Sequence, residues 1–159
     1  VDMAEVFAAD LDGDGDDDYV WGASATGSLL DTRVSSPWTF LGGAAEGAAG
    51  FPLLRPIVGT LQPSSPTLLS VERAPASTLV LAWLSFSSAP FDALGGTVHA
   101  FPFANQFLFG TSPAGELSLS TTWPMGVPPG FNIYFQFLVD DPPTLHGITM
   151  SNGLRGTAQ

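Results

Sequence analysis

The sequence predicts an all-β protein: an antiparallel β-sandwich, jelly-roll-like, preceded by a β-hairpin with an acidic loop. Short runs with a period of two recur at a spacing of roughly ten residues, as in sandwiches and jelly rolls. Turn formers separate these runs, because the 159 residues include 18 Gly and 14 Pro. No window of a dozen residues carries a helical apolar stripe without Gly or Pro.

The first element is the acidic segment AADLDGDGDDDYVWGAS at residues 8–24. Six of the 15 acidic residues lie between Asp10 and Asp18, and the chain has only four basic residues, which gives a net charge of −11. Like charges at this density destabilise a fold unless a cation neutralises them. The flanking runs MAEVFAA and DYVWGAS favour strands, so the acids are expected in a loop between two strands.

The spacing of the acids predicts a calcium loop. If Asp10 is position 1, Gly15 is position 6, where it permits a sharp turn, and Asp16 at position 7 would offer its backbone carbonyl. The predicted metal ligands are Asp10, Asp12, Asp14, Asp16 and Asp18. Ca²⁺ takes roughly six to eight oxygen ligands without the strict octahedral geometry of Mg²⁺. The alternative interpretation is a solvated acidic loop without an ion.

The segment VFAADLDGDGDDDYVWGA resembles the FG-GAP (integrin α-type) calcium repeat, whose core is a D-x-D-x-D-G-x-x-D loop in a β-propeller blade. An EF-hand is excluded, because position 12 is Trp21 rather than Glu and the flanks favour strands. The resemblance covers about 20 residues in a single copy, and a propeller needs several blades. Residues 1–36 are therefore predicted to form one calcium-binding hairpin.

The small-residue segment LGGAAEGAAGFP predicts a Gly/Ala-rich linker at residues 37–52, with an ordered loop as the alternative. Residues 53–159 are predicted to form the sandwich. In FNIYFQFLV, Phe135 and Phe137 alternate with Tyr134 and Gln136, which indicates a half-buried strand. STLVLAWLSF is apolar on both faces and favours a central strand. Further strands are predicted at 67–73, 96–103, 115–123 and 146–157.

The second half is similar to a C-terminal β-domain of large secreted repeat proteins from planctomycete- and myxobacterium-like bacteria. Gln136 in the strand FNIYFQFLV and the closing SNGL at 151–154 carry this resemblance. The cysteines often present in such domains are absent here. The resemblance implies an extracellular or cell-surface location in a bacterium and no established catalytic activity.

Composition excludes several classes of function. A net charge of −11 without a basic patch disfavours nucleic acid and anionic membranes as partners. No apolar run is long enough for a membrane span. The absence of Cys excludes disulfides and thiolate chemistry. Because the chain begins at Val1, we expect a processed or excised C-terminal piece of a longer protein.

Other residues that could carry chemistry are few. His99 and His146 lack metal-ligand spacing, and structural or surface roles are expected for both. Asp140 and Asp141 indicate either a solvated strand end or a second cation site. Three aromatic residues are candidates for a sugar-stacking platform: Trp38, Trp123 and Tyr134. No nucleophile elbow or phosphate loop is present, so an enzyme is not expected.

The sequence thus predicts a secreted, calcium-stabilised structural or adhesive β-protein. Self-association is expected, with the segment that begins at Val1 adding as a strand to an exposed sheet edge of the next copy. Repeated head to tail, this contact produces an extracellular filament. The alternative is a carbohydrate-binding module of a larger secreted protein, with a glycan as its partner.

Overall fold

The computed structural model describes residues 36–159 throughout and, before them, the backbone at 6–9, 18–22 and 29–31. The chain divides into two compact units, Val1–Ser36 and Pro37–Gln159. In the first unit, β1 (Val6–Ala9), β2 (Asp18–Gly22) and β3 (Leu29–Asp31) form an antiparallel sheet in that order.

The second unit contains eleven strands and, within the described residues, no helix. The strands are β4 (Trp38–Gly42), β5 (Leu53–Val58), β6 (Pro66–Glu72), β7 (Leu79–Ser85), β8 (Phe91–Ala93), β9 (Gly96–Val98), β10 (Asn105–Gly110), β11 (Leu117–Thr122), β12 (Asn132–Asp140), β13 (Ile148–Met150) and β14 (Gly153–Thr157). Every pairing between them is antiparallel. The predicted all-β antiparallel sandwich is therefore confirmed.

Two sheets make up the sandwich. The larger has the order β10-β7-β12-β14-β4, with β13 also pairing with β12. The smaller has the order β11-β6-β5, and β8 and β9 form a separate hairpin. The centre of the larger sheet is β12, which pairs with β7 along one side and with β14 and then β13 along the other.

The main core lies between the two sheets. Alternate residues of β12, among them Ile133, Phe137 and Val139, point into it, as the period of two predicts. The smaller sheet contributes Leu69 and Val71 from β6. Burial of these side chains removes apolar surface from water, which is the main favourable term in folding.

A second apolar cluster covers the other face of the larger sheet. It contains Leu138 of β12 and Met150 of β13, together with Val98 of β9 and Ala45, and Trp83 of β7 packs against it. Because β7 and β12 are covered on both faces, both strands can be apolar on both sides. The prediction that STLVLAWLSF forms a central strand is confirmed.

A buried amide fixes the second cluster to the sheet. Gln136 is fully buried, and its Oε1 accepts a hydrogen bond from the N–H of His99 at 2.7 Å. Its Nε2 donates to the backbone carbonyls of Thr97 at 2.8 Å and Ser151 at 3.0 Å. One side chain thus satisfies three backbone groups that would otherwise be buried without partners.

The pair Ser151–Asn152 interrupts the strand opposite β12 and separates β13 from β14. Ser151 keeps the pairing intact, because its N–H donates to the carbonyl of Phe137 and its Oγ accepts from the N–H of Phe137. The Asn152 amide accepts from the N–H of Leu54 at 2.8 Å and donates to the Leu54 carbonyl at 3.0 Å. Asn152 therefore pairs with β5 of the other sheet as a strand would.

Three segments differ from the sequence-based expectations. The segment predicted as a linker lies in the second compact unit: it contains β4, and Ala45 forms a bridge to Met150. The predicted strand at 96–103 is shorter: β9 ends at Val98, and Pro102, which has no backbone N–H, follows within the predicted range. The predicted last strand is two strands, β13 and β14.

We expect Gln136→Leu to lower the free energy of unfolding of the second unit by about 3 kcal/mol, because the N–H of His99 and two carbonyls lose their partner. Chemical denaturation of the full chain measures this change. The control is Gln62→Leu at an exposed turn position, which should change the same quantity by less than about 0.5 kcal/mol. Equal effects of the two substitutions would contradict the role assigned to Gln136.

Candidate functional site

The acidic segment connects two paired strands. β1 and β2 are antiparallel, with Ala9 opposite Asp18, so residues 10–17 join the ends of a hairpin. Strands on both sides of the segment agree with the sequence interpretation. Asp18 begins β2, and the other four predicted ligands lie outside the described residues, so calcium binding stays a prediction.

The paired acids of the second unit have different surroundings. Asp140 is exposed, whereas Asp141 is completely buried, so a solvated pair is the wrong interpretation for Asp141. The Asp141 Oδ2 accepts a hydrogen bond from the N–H of Ala48 at 2.8 Å. Its backbone carbonyl accepts from the N–H and Oγ1 of Thr144. The Asp141 side chain thus anchors the segment after β4 to the end of β12.

A second cation site is not assembled around these acids. Among the residues that the structure describes, no group of three or more His, Asp or Glu side chains could hold a metal ion. On its Oδ2 side, Asp141 packs closely against Gly47, where a Cβ would lie 2.6 Å from Oδ2 and 2.9 Å from Thr149 Cγ2. This close approach explains the glycine at position 47.

The two histidines differ in their exposure to solvent. His146 is exposed in the turn between β12 and β13. His99 is half-buried against the backbone of Gly43 and Gly153. Burial lowers the pKa of His99, because the imidazolium would lose hydration there. The backbone N–H of the same residue donates to the Gln136 amide, so His99 has a structural role at this end of β9.

The predicted sugar-stacking platform is not on the surface. Trp38 is 3% exposed and Trp123 is 5% exposed, and both belong to the main core. Tyr134 is half-buried in β12. An exposed ring face is required for stacking on a sugar, so the two tryptophans cannot act together as a platform in this structure.

The side of the sandwich formed by β10 and β11 has two free edges. Each of these strands is the last of its sheet within the described part of the chain. An edge strand presents unpaired backbone N–H and C=O groups, which makes it a template for another strand. β10, with the sequence NQFLFG, contains no charge and no proline, the two devices that commonly protect an edge.

An apolar groove of about 400 Å³ lies between these two edges. Phe107 and Phe109 of β10 line one wall, Leu119 of β11 lines the other, and Phe135 and Trp123 also contribute. None of the lining residues is charged. On the opposite face of β10, Leu108 is 64% exposed. The groove therefore reaches toward the main core from an edge that is apolar on both faces.

On the opposite side of the sandwich, called the closed side here, β4 and β5 are likewise the last strands of their sheets, but contacts join the two sheets. The indole N–H of Trp38 in β4 donates to the carbonyl of Gly59, just after β5, at 2.8 Å. β5 contains Pro56 and a register shift between Pro56 and Val58, and Arg55 pairs with Glu72. Proline, bulges and charges each disfavour the addition of a further strand. The edge at β5 is thus protected, whereas the edge at β10 carries none of these devices.

Sequence reasoning did not predict β10. Its run NQFLFG is only six residues long. Phe107, Leu108 and Phe109 are all apolar, so the run lacks the alternation of polar and apolar residues that indicates a half-buried strand. The aromatic content and the turn residues on both sides, Pro102 and Pro113, were the available signals. The groove depends on contacts between strands that are distant in sequence, which no local pattern contains.

Comparisons of the chain with protein-family models, curated proteins and solved structures find no match. In the part of the chain that the structure describes, no helix is long and apolar enough to cross a membrane. The groove and the acidic hairpin are therefore interpreted from their own chemistry.

We expect Asp141→Ala to lower the free energy of unfolding by about 2 kcal/mol, because the N–H of Ala48 loses its buried acceptor. The matched control is Asp140→Ala, an exposed neighbour, for which we expect a change below about 0.5 kcal/mol. Urea denaturation of both variants gives the comparison. A larger loss for Asp140→Ala would contradict the assignment of Asp141 as the anchor.

Proposed function

We propose that this chain is a calcium-stabilised structural or adhesive β-protein of the bacterial cell surface or extracellular space, and that it associates with further copies through a sheet edge. The observation that carries the proposal is the open side of the sandwich. There, the unprotected edge of β10 lies beside an uncharged apolar groove, whereas on the other side a hydrogen bond joins Trp38 to Gly59 and β5 carries Pro56 and a register shift.

Charge supports association at this side. The chain has a net charge of −11, so two copies repel each other at most orientations. From Ala100 to Gly115 the sequence contains no ionisable side chain, and β10 lies inside this stretch. Copies that meet through this stretch bring apolar surface together without burying a charge, which would otherwise cost several kcal/mol.

Calcium is the proposed partner of the acidic hairpin. The antiparallel pairing of β1 with β2 returns the chain upon itself across residues 10–17, as a cation-binding loop requires. The carboxylates at alternate positions are oxygen donors of the type that Ca²⁺ prefers. A bound divalent ion would offset the repulsion among six acids and hold the ends of β1 and β2 together.

Self-association is tested by sedimentation velocity of the full chain over a concentration series, with calcium and with EDTA. We expect the weight-average mass to rise with concentration in calcium, because more β10 edges are then paired. Negative-stain images of the concentrated sample show whether the particles are discrete or filamentous. A mass equal to one chain at every concentration, in calcium and in EDTA, would contradict the proposed function.

Calcium binding is tested by isothermal titration calorimetry. We expect one ion per chain, and an ion at about 100 times its Kd should raise the free energy of unfolding of the binding unit by about 2.7 kcal/mol. Asp14→Asn removes a predicted ligand and should weaken binding at least about tenfold. Asp17→Asn, which changes an acid outside the predicted ligand set, is the matched control and should weaken binding much less. Equal losses of calcium affinity in the two variants would contradict the predicted ligand set.

A further inference from the structure

We infer that the strand that pairs with β10 is β10 of a second copy, antiparallel to the first and related to it by a two-fold axis at Leu108. This inference rests on the proposed function, because it names the partner of the open edge. It joins the larger sheets of two copies into one continuous sheet.

The chemistry of the edge selects an uncharged strand as its partner. The backbone groups along β10 need the N–H and C=O groups of an extended chain, which a small apolar ligand cannot supply. Phe107 and Phe109 face a groove without charged residues, so a charged partner strand would lose hydration on entry. β10 itself satisfies both conditions, since its six residues are uncharged.

The side-chain pattern of β10 is complementary to itself. Residues directly opposite each other in an antiparallel pair share one face of the sheet. With the axis at Leu108, the Phe107 of each copy lies opposite the Phe109 of the other, on the groove face. Leu108 then lies opposite its own copy on the outer face, and the small Gly110 lies opposite Gln106. Cross-strand aromatic pairs stabilise antiparallel sheets.

An axis at Phe107 would be less favourable. That register places Leu108 opposite Gln106 and Phe109 opposite Asn105, which sets apolar against polar side chains at both pairs. The register with its axis at Leu108 therefore matches more apolar side chains.

The N-terminal segment is a poorer donor than the sequence analysis expected. Residues 1–5 carry Asp2 and Glu5, whose carboxylates would face an apolar groove or a chain of the same net sign. β1, which follows, is already paired with β2 along one edge. A two-fold joint at β10 closes a dimer, so a filament needs a second joint elsewhere in the chain.

The size of the joint sets the expected strength. The proposed contact involves only one six-residue strand from each copy, which is small beside a standard interface of roughly 1,200 Å² or more. We therefore expect reversible association. Covalent capture can report the geometry of such a weak interface.

Cysteine capture is direct because the chain contains no cysteine. Leu108→Cys would place two thiols opposite each other, with Cα atoms about 5 Å apart, inside the range for a disulfide. We expect this variant to form disulfide dimers under mild oxidation at least about tenfold faster than Leu145→Cys, a control whose native side chain is 93% exposed in the turn between β12 and β13. Equal rates for the two variants would overturn the inference.

Charge exchange tests the two-fold relation independently. Leu108→Lys and Leu108→Glu each place like charges opposite each other, so each alone should weaken association at least about tenfold. An equimolar mixture of the two variants should restore association, because Lys then lies opposite Glu. The Leu108 side chain is largely exposed, and circular dichroism of each variant checks that the monomer folds.

The outcomes separate this inference from the proposed function. If the native chain associates and the Leu108 variants associate equally well, the joint is elsewhere and only the inference fails. If each variant alone and their equimolar mixture are all monomeric, β10 pairs with a different strand, and the two-fold assignment is wrong. If the native chain itself is monomeric in calcium at all concentrations, the proposed function fails as well.

Discussion

The hydrogen bonds of the Gln136 side chain hold together the parts of this sandwich that are distant in sequence. Gln136 lies in the central strand and bonds to backbone groups of His99, Thr97 and Ser151. These bonds fix the β8–β9 hairpin and the strand interruption at Ser151 against the outer face of the larger sheet. Without them, three buried backbone groups would lack partners, and the second apolar cluster would lose its position.

Other hydrogen bonds tie the two sheets together on the β4–β5 side of the sandwich. The interruption at Ser151 places Asn152 against Leu54, so the β14 side of the larger sheet is tied to β5 of the smaller sheet. The bond from Trp38 to Gly59 completes that side. At the other side, β10 and β11 are not tied to each other in this way, and the groove lies between them. The sandwich is therefore tied together on the β4–β5 side and has a groove on the β10–β11 side.

Much of the second unit follows from local patterns in the sequence. The alternation in FNIYFQFLV predicts which residues of β12 enter the core, and the two-sided apolar run predicts the central place of β7. The roles of Asp141 and of the segment at 43–50 do not follow from local patterns. In the sequence, polar residues near Pro and Gly indicate solvated turns. Only the folded structure shows that the Asp141 side chain is buried and contacts Ala48. The acidic spacing at 10–18 remains a sequence-based prediction of calcium binding.

The proposed biology combines two kinds of interaction on one chain. An ion would neutralise and order the acidic hairpin, and an uncharged strand would pair with the open edge. The first depends on carboxylate spacing in the sequence, and the second depends on a groove that exists only in the folded chain. A surface protein could use both, since extracellular fluids contain calcium and high local density favours weak joints.

The central claim is that the free edge of β10 is the surface through which copies of this chain meet. Amide hydrogen exchange measured by mass spectrometry at low and high protein concentration tests it most directly. Amides in peptides that cover Asn105–Gly110 should become more protected as the concentration rises, while those covering Leu53–Val58 on the closed side should not change. Identical exchange of the β10 peptides at all concentrations, or protection that grows only in β5, would contradict the account.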